Sequence, residues 1–166
     1  PPALLITLDN CLVPAALREQ VAKRLHRRVG LLPDRLSITA THTHSGPILA
    51  GMSKTLYCHP LPQKHREHIE RYTKELIDKL EQLAIAAFKN PQPAHLAWAQ
   101  SNASFAHNRR TKGGPVDHDL PVMVAKDLAG KLRAVYLSYA CHCTTLSHNR
   151  ISGDWAGYAQ ESIQRR

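Results

Sequence analysis

Long apolar runs are missing from this chain. No stretch approaches the roughly 18 consecutive apolar residues of a membrane-spanning helix, so no transmembrane segment is expected. The N-terminus has no charged segment leading into an apolar one, and no signal peptide is visible. Aromatic residues are scarce, at 5%, too few for a platform on which single-stranded nucleic acid could stack. The four cysteines, Cys11, Cys58, Cys141 and Cys143, form no C-x-x-C pair and have no zinc-finger spacing. Cys141 and Cys143 are expected as buried free thiols, with a disulfide or a metal role left open, and the redox compartment stays undetermined. Acidic residues are outnumbered, 13 against 22 Lys and Arg, for a formal charge of +9. That balance favours anionic partners, yet the positive residues form no single tract. Lys23, Arg24, Arg27 and Arg28 fall on one expected helix, while those from Lys64 to Lys89 alternate with Glu67, Glu70, Glu75, Asp78 and Glu81. The second group reads as a solvated helix face of mixed sign, and no nucleic-acid partner is expected.

What is present suits one α/β domain over residues 1–166, a mixed β-sheet flanked by helices. Ala3-Leu4-Leu5-Ile6-Thr7-Leu8 is an apolar run closed by Asp9-Asn10 and reads as a buried strand. Pro14 opens a helix whose Leu17, Val21 and Leu25 recur at i, i+4 and i+8, ending near Gly30. Leu36 to Thr41 is the next strand, which makes a βαβ unit with parallel pairing. Residues 46–62 read as a long loop. A helix over about 63–88 follows, with Ile69, Tyr72, Leu76, Leu80, Leu83 and Ala87 as its apolar stripe. Strands are expected at His95–Ala99, Val122–Lys126 and Leu132–Cys143, the last two joined by a hairpin at Asp127–Lys131. A final helix begins at Tyr158. The chain opens on Pro1-Pro2 without Met and stops at Gln164-Arg165-Arg166 inside a helical pattern, so it is expected to be a piece of a longer polypeptide.

Of the eleven histidines, His26, His65 and His68 sit among charges on helices and read as solvated. Residues 38–47 differ. They read I-T-A-T-H-T-H-S-G-P, a strand running into two histidines one residue apart and then a turn. Residues two apart on an extended segment project to one side. His142 stands near the end of another expected strand. Active-site groups in α/β sheets gather beyond the carboxyl ends of strands, and imidazole is the commonest ligand of catalytic zinc. On spacing alone, a metal site and a hydrogen-bonded role both remain open for His42, His44 and His142.

The stretch T-H-T-H-S-G-P resembles the signature of the neutral, non-lysosomal ceramidase family. Further blocks follow that family's pattern in order. Leu5-Ile6-Thr7-Leu8-Asp9 precedes the first helix as the family's first strand does. Asn102-Ala103-Ser104 with Asn108-Arg109 resembles its "NAS…NR" loop, and Asp117 to Val124 its "D…vL" strand entry. Tyr139-Ala140-Cys141-His142-Cys143-Thr144-Thr145-Leu146 is similar to "F-x-x-H-x-T-S-M", and Gly153-Asp154-Trp155-Ala156-Gly157-Tyr158 to "S-D-N-x-G-Y". The match runs over nearly the whole chain.

The resemblance implies a zinc-dependent hydrolase that cleaves the N-acyl bond of sphingolipids. Carried over, His42 and His142 are Zn2+ ligands, His44 is a polar catalytic or substrate-contacting group, and Arg109 faces the same site. A Glu and a Tyr that complete the zinc ligands, and an active-site Ser, lie further along in the family. They would fall beyond Arg166, so the remainder of the polypeptide supplies them and the piece alone is expected to be inactive. The implied partner is a lipid-like small molecule, met at a membrane surface, and the implied location is secreted, periplasmic or membrane-associated. Asp154 reads equally as support for a histidine or as the cap of the final helix. Departures from the pattern fall at Ile48-Leu49-Ala50-Gly51, at Cys141 and Cys143, and in a shortened 110–117 stretch. They leave two alternatives: a related metallohydrolase with a different amide or ester substrate, and a non-catalytic basic module for anionic lipid or nucleic acid.

Overall fold

The computed structural model describes residues 2–52, 57–146 and 148–165. The chain forms two compact units, one of Pro1–Asn90 with Cys143–Arg166 and one of Pro91–His142. The α/β class holds, with parallel and antiparallel strands placed in two separate sheets.

The first unit begins with β1 (Leu4–Leu8), α1 (Ala15–Val29), a short 3-10 turn (Pro33–Arg35) and β2 (Leu36–Ala40). The strands pair in parallel, from Leu4 opposite Leu36 to Leu8 opposite Ala40, as a βαβ unit requires. Pro14 precedes the first turn of α1, where its missing N–H costs nothing. Gly30 closes the helix at φ 69°, its N–H donating to His26 O at 3.1 Å, a left-handed stop that glycine adopts without penalty. Helix α2 (Gln63–Lys89) lies against α1. Leu17, Val21, Ala22 and Leu25 of α1 and Leu76, Ile77, Leu80 and Ala84 of α2 form one core with Ile6, Leu31, Leu36, Leu49 and Met52. Each large aliphatic side chain buried there contributes about 1.5–3 kcal/mol over exposure. The unit closes with α3 (Asp154–Gln164).

The charged face of α2 is partly used in packing. Arg24 of α1 pairs with Asp78 at 2.6 Å and Glu81 at 3.0 Å, and Arg28 reaches Glu81 at 3.4 Å. Leu83 and Ala87, placed on the apolar stripe by their spacing, are exposed, and the buried face turns toward Thr73, Ile77 and Ala84 instead. Thr73 is buried without an orphan: its Oγ1 donates to Ile69 O and accepts Ala50 N–H, both at 2.8 Å. At the Ile48–Gly51 departure, Leu49 is fully buried in the core, so its side chain there serves packing. Residues 53–56 of the expected long loop lie outside the described residues.

The second unit is an antiparallel meander of β3 (His95–Asn102), β4 (Asp119–Lys126) and β5 (Leu132–Leu137). Its hairpin is built as expected. Asp127 Oδ1 accepts the N–H of Ala129 and Lys131, and Gly130 takes φ 83°. The final strand is shorter than its pattern predicts. It stops at Leu137, and Cys141 N–H turns back onto Tyr139 O at 2.9 Å. Cys141, His142 and Cys143 therefore lie in a loop, and strand alternation does not fix their directions. Cys143 is buried, but Cys141 only half so. The last helix starts at Asp154, four residues before the expected Tyr158. Among the described residues no helix is long and apolar enough to cross a membrane.

Candidate functional site

Because β1 and β2 are parallel and end level, the segments that leave them emerge side by side. Backbone bonds keep them together: Thr41 N–H donates to Leu8 O and His42 N–H to Asn10 O, each at 3.0 Å. His42 adopts φ 63°, a left-handed conformation that costs a non-glycine residue about 1–2 kcal/mol. The extended path ends there, so strand periodicity does not explain why the two histidines meet. They meet nonetheless, with Nε2 atoms 3.4 Å apart and ring planes at 85°. Thr43 between them is wholly buried, its Oγ1 donating to Ser152 O at 2.7 Å and accepting Ser45 N–H at 3.3 Å.

Asn10 clamps the other side. It is buried, its Nδ2 donating to Pro47 O at 2.8 Å and its Oδ1 accepting Cys11 N–H at 2.8 Å. Gly46 passes so near that a Cβ there would stand 3.4 Å from Asn10 Cα. Ser152 N–H donates to Ser45 O at 3.1 Å, and His44 N–H to Cys143 O at 3.3 Å. The turn after the histidines is thus held from two directions by residues distant in sequence.

This frame sets the tautomer of His42. Its Nδ1 lies 2.6 Å from Cys11 O; a carbonyl only accepts, so Nδ1 carries the proton and Nε2 keeps its lone pair. A carbonyl on the far nitrogen is a common way to orient a metal-ligating histidine. The lone pair that a zinc ligand must offer is thereby on Nε2, 3.4 Å from His44 Nε2. The Cys11 thiol is a third donor, with Sγ 3.9 Å from His42 Nδ1. One donor atom from each of Cys11, His42 and His44 falls within a 4.8 Å set. Burial pushes the Cys11 thiol pKa up. The donor set is one that zinc accepts.

Cys11 was not foreseen as part of this cluster, although a signal for it exists. In a βαβ unit the ends of both strands coincide, Cys11 follows β1 by three residues, and His42 follows β2 by two.

The other two expected site residues, Arg109 and His142, belong to the second unit and also touch. Arg109 Nη2 donates to His142 Nδ1 at 3.2 Å. A guanidinium has no acceptor, so Nδ1 is the lone-pair nitrogen, and the neutral ring carries its proton on Nε2. Asn108 builds the loop that presents Arg109, its Oδ1 accepting the N–H of Arg110 and Thr111 and its Nδ2 donating to Pro115 O. Gly114 is needed beside it, since a Cβ would come within 2.6 Å of Asn108 Nδ2. Tyr139, three residues before His142, accepts Ala106 N–H at 3.2 Å, donates to Ala103 O, and stacks on Phe105 at 4.7 Å. The Asn102–Ser104 and Asn108–Arg109 blocks are therefore tied to the segment that carries His142.

Asp154 resolves in favour of a latch. Its Oδ1 accepts Thr145 N–H, Thr145 Oγ1–H and Trp155 N–H, and its Oδ2 accepts Leu146 N–H. It takes the Trp155 N–H in the first turn of α3 and fixes the 145–146 loop. Burial raises its pKa, but these hydrogen bonds outweigh that and hold it at about 2. A surface cleft of about 490 Å³ lies at Arg24, Arg27, Arg28 and Glu81, away from the histidine pair. A smaller one, about 320 Å³, opens between Pro47–Ile48 and the His68–Glu75 stretch of α2.

No family model matches the chain. Neutral ceramidase A of Dictyostelium discoideum is 25% identical over an alignment of 177 residues, covering 95% of this chain and 24% of that protein. The crystal structure of neutral ceramidase from Pseudomonas aeruginosa matches with a TM-score of 0.73 at 22% identity, over 93% of this chain and 26% of that one. A ceramidase complexed with C2 gives a TM-score of 0.75 at 20% identity, over 95% of this chain and 26% of that one. The chain spans about a quarter of the length of these relatives. The resemblance first carried by T-H-T-H-S-G-P is thus borne out, and this chain is similar over nearly its whole length, in sequence and in fold, to about a quarter of a neutral ceramidase.

Proposed function

We propose that the protein containing this chain is a zinc-dependent hydrolase that cleaves the N-acyl amide bond of a sphingolipid-like substrate, with His42 and His142 as zinc ligands. The observation that carries this reading is His42, whose Nδ1 is fixed by the Cys11 carbonyl while its Nε2 faces the Nε2 of His44. It stands beyond the ends of two parallel strands, where active sites of α/β sheets collect. The ceramidase relatives support the choice of substrate class.

Zinc held by His42 and His142 would lower the pKa of a water to about 7 and act as a Lewis acid toward the amide carbonyl. His44 is exposed and adjacent, suited to moving a proton or to donating to the carbonyl oxygen as charge builds on it. Arg109 offers a fork of donors for an oxygen of the substrate. Its bond to His142 Nδ1 takes the lone pair that a ligand must offer. Ligation by His142 therefore requires Arg109 to leave the ring, which couples the two roles. The remaining ligands come from other parts of the protein.

The test is metal content and hydrolysis of an N-acylsphingosine by the full-length protein. Losing an outer hydrogen bond to a ligand typically costs 10–100-fold, so His42→Ala and His142→Ala should each lower turnover by about 100-fold or more and release zinc. His44→Ala should keep zinc while slowing hydrolysis by roughly 10²–10⁴-fold. Full activity in metal-free protein, or in His42→Ala, would sink the proposal.

A further inference from the structure

We propose that Cys11 is a further ligand, through its sulfur, for the cation held at His42, and that this makes the site thiophilic. The inference rests on the metal site proposed at His42 and adds a donor that the motif-based reading did not contain.

Three observations carry it. The Cys11 sulfur lies 3.9 Å from His42 Nδ1, on the ring whose Nε2 offers the lone pair, and one donor atom each from Cys11, His42 and His44 lies within 4.8 Å of the others. Cys11 and His42 are also bound through the main chain, since the Cys11 carbonyl accepts the Nδ1 proton of His42. The residue that orients the imidazole therefore brings its own thiol to the same place. Finally, Asn10 fixes the start of this segment by accepting Cys11 N–H while anchored to Pro47. The thiol thus sits on a short, tied segment.

The chemistry follows from the donor set. Imidazole and sulfur donors prefer zinc, cobalt or cadmium to magnesium or manganese, which favour oxygen. Binding forms a sulfur–metal bond and releases the thiol proton to solvent, with no change in oxidation state. A site of imidazole and carboxylate alone would discriminate less sharply against manganese.

Cobalt(II) titration of the full-length protein, followed by absorption, reads the sulfur directly. A thiolate ligand gives an intense near-ultraviolet charge-transfer band, separate from the weak visible bands that report any bound cobalt. The band should appear in the parent protein, vanish in Cys11→Ser and Cys11→Ala, and persist in Cys143→Ser. Both Cys11 variants keep the backbone carbonyl that holds His42, so far-ultraviolet circular dichroism should be unchanged. Their preference for cadmium over manganese should fall by about tenfold or more. Visible cobalt bands that depend on His42, with no charge-transfer band and no effect of Cys11→Ser, would overturn the inference and leave the zinc hydrolase intact. A band that follows Cys143 instead would overturn it equally. Failure of cobalt and zinc to bind at all would overturn both readings.

Discussion

At the scale of single residues, Asp154 makes the most quantitative demand on the protein. It is 1% exposed and accepts four hydrogen bonds, so its carboxylate is stable despite burial. Its folded pKa of about 2 lies below the ordinary value of 3.8. A depressed carboxylate stabilises the fold fully above about pH 4, and the contribution is lost as pH falls toward 2. Nearly two pH units at about 1.4 kcal/mol each give about 2–3 kcal/mol. Asp154→Asn keeps one acceptor but puts an NH2 where Oδ2 meets Leu146 N–H. Urea unfolding at pH 7 should show the variant less stable by about that amount. At pH 2 the gap should have mostly closed. An equal gap at both values would mean the charge is not what holds the loop. The histidines show the other side of residue-scale reading. Their proximity was legible from H-x-H, but its cause was not, because His42 leaves the extended region at φ 63° and no sequence pattern announces a strained non-glycine.

Elements were more legible than sites. The 3.6-residue spacing of Leu17, Val21 and Leu25, with Pro14 before and Gly30 after, placed α1 almost to the residue. The βαβ reading gave the parallel pairing of β1 with β2. Misses came where side-chain hydrogen bonds, not periodicity, end an element. The stretch Ser138–Cys143 looks apolar enough to extend β5, but Tyr139 bonds into the 103–106 segment and Cys141 turns back on it. Helix α3 begins at Asp154, whose Oδ1 takes the Trp155 N–H of the first turn. Two glycines at the start of that helix, Gly153 just before it and Gly157 in it, offer a paired test. A Cβ at Gly153 would meet Gly157 Cα at 2.8 Å, whereas one at Gly157 meets nothing within 4 Å. Gly153→Ala should therefore destabilise by about 1–3 kcal/mol through overpacking. Gly157→Ala should stabilise by about 0.5–1 kcal/mol, as expected in a helix interior. Thermal melts of both variants decide it, and the reverse order would refute the close approach.

Over the whole molecule, charge and site pull against each other. A chain of formal charge +9 repels a divalent cation at long range. Any zinc affinity must therefore come from donors in contact with the ion, and Cys11, His42 and His44 bring one donor atom each within 4.8 Å of the others. Segments around residues 8–11, 41–47 and 143–154 meet only in the folded first unit, so an unfolded chain offers no assembled site. Zinc should then stabilise the fold by mass action, by about 2.7 kcal/mol at a hundred times its dissociation constant. His42→Ala should abolish that gain. Salt provides the sharper discrimination. At 0.5 M NaCl the Debye length shrinks to roughly 4 Å, which screens the repulsive field without weakening bonds to nitrogen or sulfur. Stabilisation by zinc, read as the shift in unfolding midpoint, should hold or grow between 0.05 and 0.5 M salt, both roughly bracketing physiological strength. Diffuse attraction to surface carboxylates would show the opposite trend, fading as salt rises and surviving the loss of His42. That outcome would move the cation from the histidine site to the mixed-charge face of α2.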